Sequence, residues 1–149
     1  MKNKVQKIKI SKAKVSEAQI IRKLEEQVWD EEVTNKYDIP MFIRFGYVYV
    51  AKSNNKIVGA IVSYRTNKNE VYVCDLVVDP KYRRQKIGEK LYVKLLNSVK
   101  GMNVVSFLDP DLGPTFELHS KLGAKVVRKE KDPYDLNKKD IRLFVKIKN

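Results

Sequence analysis

The sequence of 149 residues holds a single cysteine, a single histidine and a single tryptophan. One cysteine, Cys74, excludes an internal disulfide, and one cysteine with one histidine excludes a Cys/His zinc site. Long apolar runs are missing too. The longest stretch without a strongly polar residue, Phe45 to Ala51, is far too short to cross a bilayer. No signal-peptide pattern opens the chain, since Met1 to Lys9 is Lys-rich and no apolar stretch follows. These absences lead to the expectation of a soluble cytoplasmic protein with no membrane partner. Acidic residues are scarce beside basic ones, 18 against 31, for a formal net charge of +13. Such a surface attracts polyanions. The lysines are nevertheless spread along the chain, from Lys2, Lys4 and Lys7 to Lys138, Lys146 and Lys148. No RNA-recognition aromatic motif, zinc finger or basic zipper accompanies them, which disfavours nucleic acid as the main partner.

Hydrophobic residues make up 43% and charged residues 33%, the balance of one globular domain spanning 1–149. Lys4 to Ile10 alternates like a strand. Ser16 followed by Gln19 reads as a capping box, and Ile20, Leu24 and Val28 recur every four residues, which predicts a helix over 17–29. A short second helix is expected between Asp30 and Gly46. A β-meander follows: Tyr47 to Lys52, an Asn54-Asn55 turn, Lys56 to Arg65, a turn at Asn67 to Asn69, then Glu70 to Val78 as a buried strand ended by Asp79-Pro80. Ile87, Leu91, Leu95 and Val99 mark a helix from Lys86 that ends at Gly101. Asn103 to Leu108 is again a strand, so a crossover unit with parallel strands is predicted. A helix over Pro114 to Leu122 and strands at Lys125 to Lys129 and Ile141 to Lys148 complete an α+β fold. Its sheet is mixed, mostly antiparallel, with six to seven strands.

The segment from Asp75 to Leu91 carries the chemistry. A strand leads through a short basic loop straight into a helix. Free N–H groups at a helix start, with the helix dipole, make an anion site. Arg83, Arg84 and Lys86 lie beside it, and Gly88 lets backbone approach a ligand without a Cβ. Downstream, Phe116-Glu-Leu-His-Ser-Lys-Leu-Gly-Ala124 forms a short helix running into a glycine.

These two motifs, in this order, resemble those of the GCN5-related N-acetyltransferase superfamily. Its signature is Arg/Gln-x-x-Gly-x-Gly/Ala after a strand ending in Val-x-Pro. Arg83, Lys86 and Gly88 occupy the signature positions, with Lys86 where the family usually has its first glycine, and Val78-Asp79-Pro80 match the approach. The second motif, aromatic-x-x-x-Gly-Phe, is matched with His119 at the usual Tyr and Ala124 at the usual Phe. The resemblance implies acetyl-CoA as co-substrate without a metal. Leu76, Val77 and Val78 would then pair with the pantetheine arm by their backbone. Arg83, Arg84, Gln85, Lys86, Ile87, Gly88 and Glu89 would hold the pyrophosphate.

The reaction the resemblance implies is direct attack of a neutral amine on a thioester, which needs a base, oxyanion donors and an acid for the thiolate. Asp75, just before the pantetheine segment, is the expected base; it could equally be a carboxylate satisfied by a basic neighbour. His119 is the expected acid; it could equally be a half-buried structural histidine. Cys74, pointing to the other sheet face, reads as a small hydrophobe. Trp29, Tyr37, Phe42 and Phe45 either wall the acceptor pocket or pack in the core. Glu130, Asp132, Asp135 and Asp140 hint at a cationic acceptor or form a solvated loop. A small cationic amine is the slightly favoured acceptor over a protein, and a homodimer through sheet edges is a habit of the family. The rival readings are an acyl-CoA-binding sensor without turnover and a nucleic-acid module.

Overall fold

The computed structural model describes residues 7–31, 33–134 and 141–149. Its strands form one seven-stranded sheet in the order β1-β2-β3-β4-β5-β7-β6, numbered along the chain. Two compact units divide the chain, one of residues 1–64 and 75–98, the other of residues 65–74 and 99–149.

The first unit opens with β1 (Ile8–Lys12) and a 3-10 turn at Val15–Glu17, which leads into α1 (Ala18–Trp29). The expected capping box at Ser16 and Gln19 gives way to a neighbouring contact. Glu17 accepts the Lys14 N–H at 2.8 Å and pairs with Lys52 Nζ at 2.6 Å. The buried face of α1 is Ala18, Ile21, Leu24 and Glu25, whereas Ile20 is 50% exposed. A strict four-residue spacing drifts by about 40° per step on a 3.6-residue helix, so mixed steps of three and four mark the true inner face. That correction places Glu25 among apolar neighbours.

α2 (Asp38–Phe45) follows a turn in which the Asn35 side chain accepts the Tyr37 N–H and Asp38 accepts the Asn35 N–H. Gly46 follows it in an extended conformation, and a Cβ there would run into the Ser63 carbonyl oxygen, so only glycine fits. β2 (Tyr47–Ser53) and β3 (Lys56–Arg65) pair antiparallel. Both turn residues between them, Asn54 and Asn55, are left-handed (φ 48 and 65), the type I′ geometry that suits strand twist. β3 is buried from Ile57 to Ser63, as a strand covered on both faces must be. β4 (Val71–Val78) alternates, with Val71, Val73, Asp75 and Val77 buried. α3 (Ile87–Ser98) buries Ile87, Leu91, Tyr92 and Leu95. Each such side chain contributes about 1.5–3 kcal/mol of burial free energy.

In the second unit β5 (Val104–Leu108) runs parallel to the start of β4 in three register pairs, Val71↔Val104 to Val73↔Ser106. After it come α4 (Gly113–Lys121), β6 (Lys125–Lys131) and β7 (Ile141–Ile147). β6 runs two residues beyond its expected end at Lys129, because its ladder to β7 continues to Lys131↔Ile141. Leu108, Leu143 and Val145 form a small core against which Phe116 and Ala124 pack. Arg142 bridges Asp109 at 3.3 Å and Asp132 at 2.9 Å, and Glu130 meets Arg128 at 3.3 Å. The described acidic residues of the last hairpin are therefore satisfied by arginines. Asp135 and Asp140, like the Lys4–Gln6 start of the first predicted strand, lie outside the described residues.

Candidate active site

The strand–loop–helix segment is built as its sequence implies. Asp79 ends β4: its N–H donates to Val58 O at 2.8 Å, and its Oδ1 accepts the Lys81 N–H at 2.9 Å. A 3-10 turn, Pro80–Tyr82, follows. Arg83, Arg84, Gln85 and Lys86 are exposed, Gly88 and Glu89 half-buried, and Ile87 is 2% exposed. Ile87 seats the helix start on the sheet. A Cβ built on Gly59 of β3 would lie 3.1 Å from Ile87 Cγ2 and 3.2 Å from Leu91 Cδ1, so glycine there lets α3 approach closely.

The loop backbone takes an uncommon shape. Arg84 and Lys86 are left-handed, with φ 65 and 58. A non-glycine residue in that region costs about 1–2 kcal/mol. The position where the family usually carries glycine is thus one whose φ calls for glycine, and Lys86 adopts it. Lys86 O accepts the Lys90 N–H at 3.0 Å, which closes the first turn of α3 and leaves the N–H groups ahead of it without intrahelical acceptors.

Strand polar groups alternate in direction. The Asp79 N–H points to β3, and Val77 O lies 3.1 Å from the built Gly59 Cβ on the same side. The backbone groups of Leu76 and Val78 therefore point to the opposite edge, and both residues lie beyond the last β4–β5 pair, Val73↔Ser106. A pantetheine arm, with its two amides, is the kind of pseudo-peptide such an edge accepts.

Asp75 is 7% exposed and accepts a bond from Trp29 Nε1 at 3.1 Å. Beside it lies Glu25 of α1, 1% exposed, whose Oε1 accepts the Thr34 hydroxyl at 3.0 Å. Burial, then the neighbouring Asp75 carboxyl, pushes Glu25 up to about 9. Burial raises Asp75 as well, against the lowering influence of the neighbouring Glu25, the Trp29 indole and the Leu76 N–H. Glu25 was not among the expected site residues. The signal for it was its place one residue after Leu24 on the apolar face of α1, where an acidic side chain stays only with a partner.

His119, in the second unit, is 3% exposed. Its Nδ1 lies 2.7 Å from Thr115 O and its Nε2 3.2 Å from Ser106 Oγ. A carbonyl can only accept, so Nδ1 carries the proton and Nε2 accepts the serine hydroxyl. Burial depresses its pKa, which fits that neutral tautomer. Of the expected acceptor-pocket aromatics, Trp29, Tyr37 and Phe45 are exposed, while Phe42 stacks on Tyr64 with centroids 5.4 Å apart. Cys74 is half-buried on the face opposite Asp75. Among the described residues no group of three or more His, Cys, Asp or Glu could hold a metal ion, and no helix is long and apolar enough to cross a membrane.

A mixed seven-stranded sheet, flanked by helices and carrying a parallel β–α–β unit with a basic turn at its helix start, is the acyl-CoA N-acyltransferase fold. The model of the acetyltransferase (GNAT) family matches residues 17–124, and the chain belongs to that family. It is an acyltransferase, and acetyl-CoA is its co-substrate. Among solved structures it is similar to Ard1 from Thermoplasma volcanium, with 16% identity, TM-score 0.81, and 94% and 96% of the two chains covered. It is also similar to the putative acetyltransferase yncA from Salmonella typhimurium with its cofactor acetyl-CoA, at 15% identity, TM-score 0.79, and coverage of 95% and 94%. The ribosomal-protein-S18-alanine N-acetyltransferase from Escherichia coli gives 14% identity, TM-score 0.79, and coverage of 95% and 93%. A search by sequence finds no match among curated proteins.

Proposed function

We propose that residues 1–149 act as one cytoplasmic N-acetyltransferase domain that moves the acetyl group of acetyl-CoA directly to a primary amine, a small cationic amine rather than a protein. The observation that carries the choice of acceptor is the buried acidic pair of Asp75 and Glu25, under the indole of Trp29 and one residue from the Leu76–Val78 edge. Buried negative charge attracts an ammonium, and a raised carboxyl is a better base for it than an exposed one. Asp75 takes the ammonium proton. The freed nitrogen attacks the thioester carbonyl carbon, the C–S bond breaks, and the thiolate takes a proton. Leu76, Val77 and Val78 hold the pantetheine, and Arg83 to Glu89 the pyrophosphate. His119 stands as the proposed donor to the thiolate, a role for which it would give up one of its two bonds. A homodimer through sheet edges is the proposed assembly, read by light scattering.

The test is calorimetric titration with acetyl-CoA, followed by CoA release over a panel of amines. Micromolar binding that Gly88→Glu abolishes, with turnover on polyamines or similar small cations, is the expected result. Binding unchanged in Gly88→Glu removes the pyrophosphate assignment, and turnover confined to peptide N-termini overturns the choice of acceptor.

A further inference from the structure

Two acids of the first unit, Glu25 and Asp75, are buried beside one another. Glu25 Oε2 and Asp75 Oδ2 are buried, and neither accepts a hydrogen bond from any described residue. Their other oxygens are occupied, by the Thr34 hydroxyl and the Trp29 indole. The two carboxyls nevertheless stand within hydrogen-bonding reach of one another. Two ionised carboxylates can only accept, so neither could satisfy its neighbour. One proton between them satisfies both at once, and like charges this close cannot both ionise near neutral pH. Facing Glu25 are Asp75 from β4, Thr34 from the α1–α2 connection and Arg22 from its own helix. Facing Asp75 are Glu25 and Trp29 from α1 and the Leu76 N–H of its own strand. The cation Arg22 is the weakest of the influences on Glu25, and its Nε lies 3.9 Å from Glu26. It does not displace the proton.

We propose that Glu25 and Asp75 work as one proton-holding unit, in which a single proton bridges Glu25 Oε2 and Asp75 Oδ2 and is exchanged for the proton that the ammonium acceptor must lose. The catalytic part of this rests on the acetyltransferase reading above; the bridging proton does not. Asp75, the less deeply buried of the two, meets the amine, and Glu25 is a positioning residue that acts through it. The arriving ammonium favours release of the bridging proton to solvent, and one N–H proton of the amine then takes its place. The neutral nitrogen attacks, the C–S bond breaks, and the second proton shed by nitrogen reaches the thiolate, with His119 its proposed carrier. The pair ends as it began, with one proton, and one proton has gone to solvent for each amide made.

Carbon-13 NMR of labelled Asp and Glu carboxyls in the full chain tests the bridge without any turnover. The wild type is expected to show a Glu25 signal titrating at about 9. In Asp75→Asn, whose amide donates to Glu25, that step should fall by more than about one pH unit. A step that stays where it was would mean that burial alone holds the proton, and the paired unit is then wrong. Glu25→Gln, of the same shape, should turn over roughly 100-fold more slowly at neutral pH. Its alkaline limb should move relative to wild type on the same amine, and acetyl-CoA affinity should be unchanged. An unaltered rate and pH profile overturns the positioning role of Glu25. If no amine is acetylated by the wild type, the enzyme reading fails by itself while the carboxyl titrations still decide the pair.

Discussion

Among the described residues, the buried polar groups around His119 and those around Glu25 and Asp75 are finished to different degrees. Around His119 the account closes: Nδ1 donates to Thr115 O, Nε2 accepts from Ser106, and the imidazole links α4 to β5. Around Glu25 and Asp75 it does not, since one oxygen of each acid is left over. Buried polar groups in native proteins are nearly all satisfied, so two adjacent acids that each keep an oxygen over call for a proton between them. A closed cluster holds structure together; an open one is ready to exchange a proton.

The sharpest way to break this contrast is His119→Ala. It removes the side-chain bonds to Ser106 and Thr115 O and opens a cavity, so a loss of about 2–4 kcal/mol in unfolding free energy is expected by denaturant titration. Turnover slowed by roughly 100-fold or more, with stability intact, would instead establish the proton-donor role. Next in size is the pH dependence of stability, where the two clusters carry opposite signs. Glu25 rises from 4.5 in the unfolded chain to about 9 in the fold. It keeps a proton that the unfolded chain has lost, so stability falls as pH climbs from near 4.5 toward 9, at up to about 1.4 kcal/mol per unit. His119 is depressed from 6.5, so its contribution is full above 6.5 and is lost as pH drops below it. Melting curves of Glu25→Gln should flatten the alkaline side only; flattening on the acid side instead would reverse the assignment. The smallest effect belongs to the loop. Lys86→Gly relieves the left-handed strain but frees the unfolded chain, so stability should shift by no more than about 1 kcal/mol. Acetyl-CoA affinity should weaken several-fold at low salt, with the difference narrowing at high salt, as expected for a solvent-exposed charge. Tighter binding by the glycine variant would show that the lysine stem obstructs the ligand.

Periodicity made much of the fold legible before any coordinates. β3, α3 and the Asn54-Asn55 turn appear where turn chemistry and helical spacing put them, and α2 falls inside the Asp30 to Gly46 stretch where a short helix was expected without bounds. The α1 stripe was misplaced by one residue because steps of four walk around a helix, and that single residue hid the second acid of the candidate site. With Ile20 taken as inward, Glu25 looks peripheral; with Ile21 inward, it becomes a buried carboxylate that needs an explanation. The environment of His119 was illegible for another reason. Its partners are Thr115, one turn back on its own helix, and Ser106 on β5, a pairing created by packing and written in no local pattern. The basic loop was readable throughout, since its chemistry lies in consecutive residues.

Lys86 at φ 58, following Arg84 at φ 65, has a consequence for how relatives of this chain are found. A glycine in a signature can be shorthand for a left-handed backbone dihedral, and here Lys86 takes such a dihedral without the letter. Pattern matching that demands the letter will pass over chains of this sort, whereas a comparison of torsion angles would gather them. The motif in this lineage is better thought of as a contour than as a spelling.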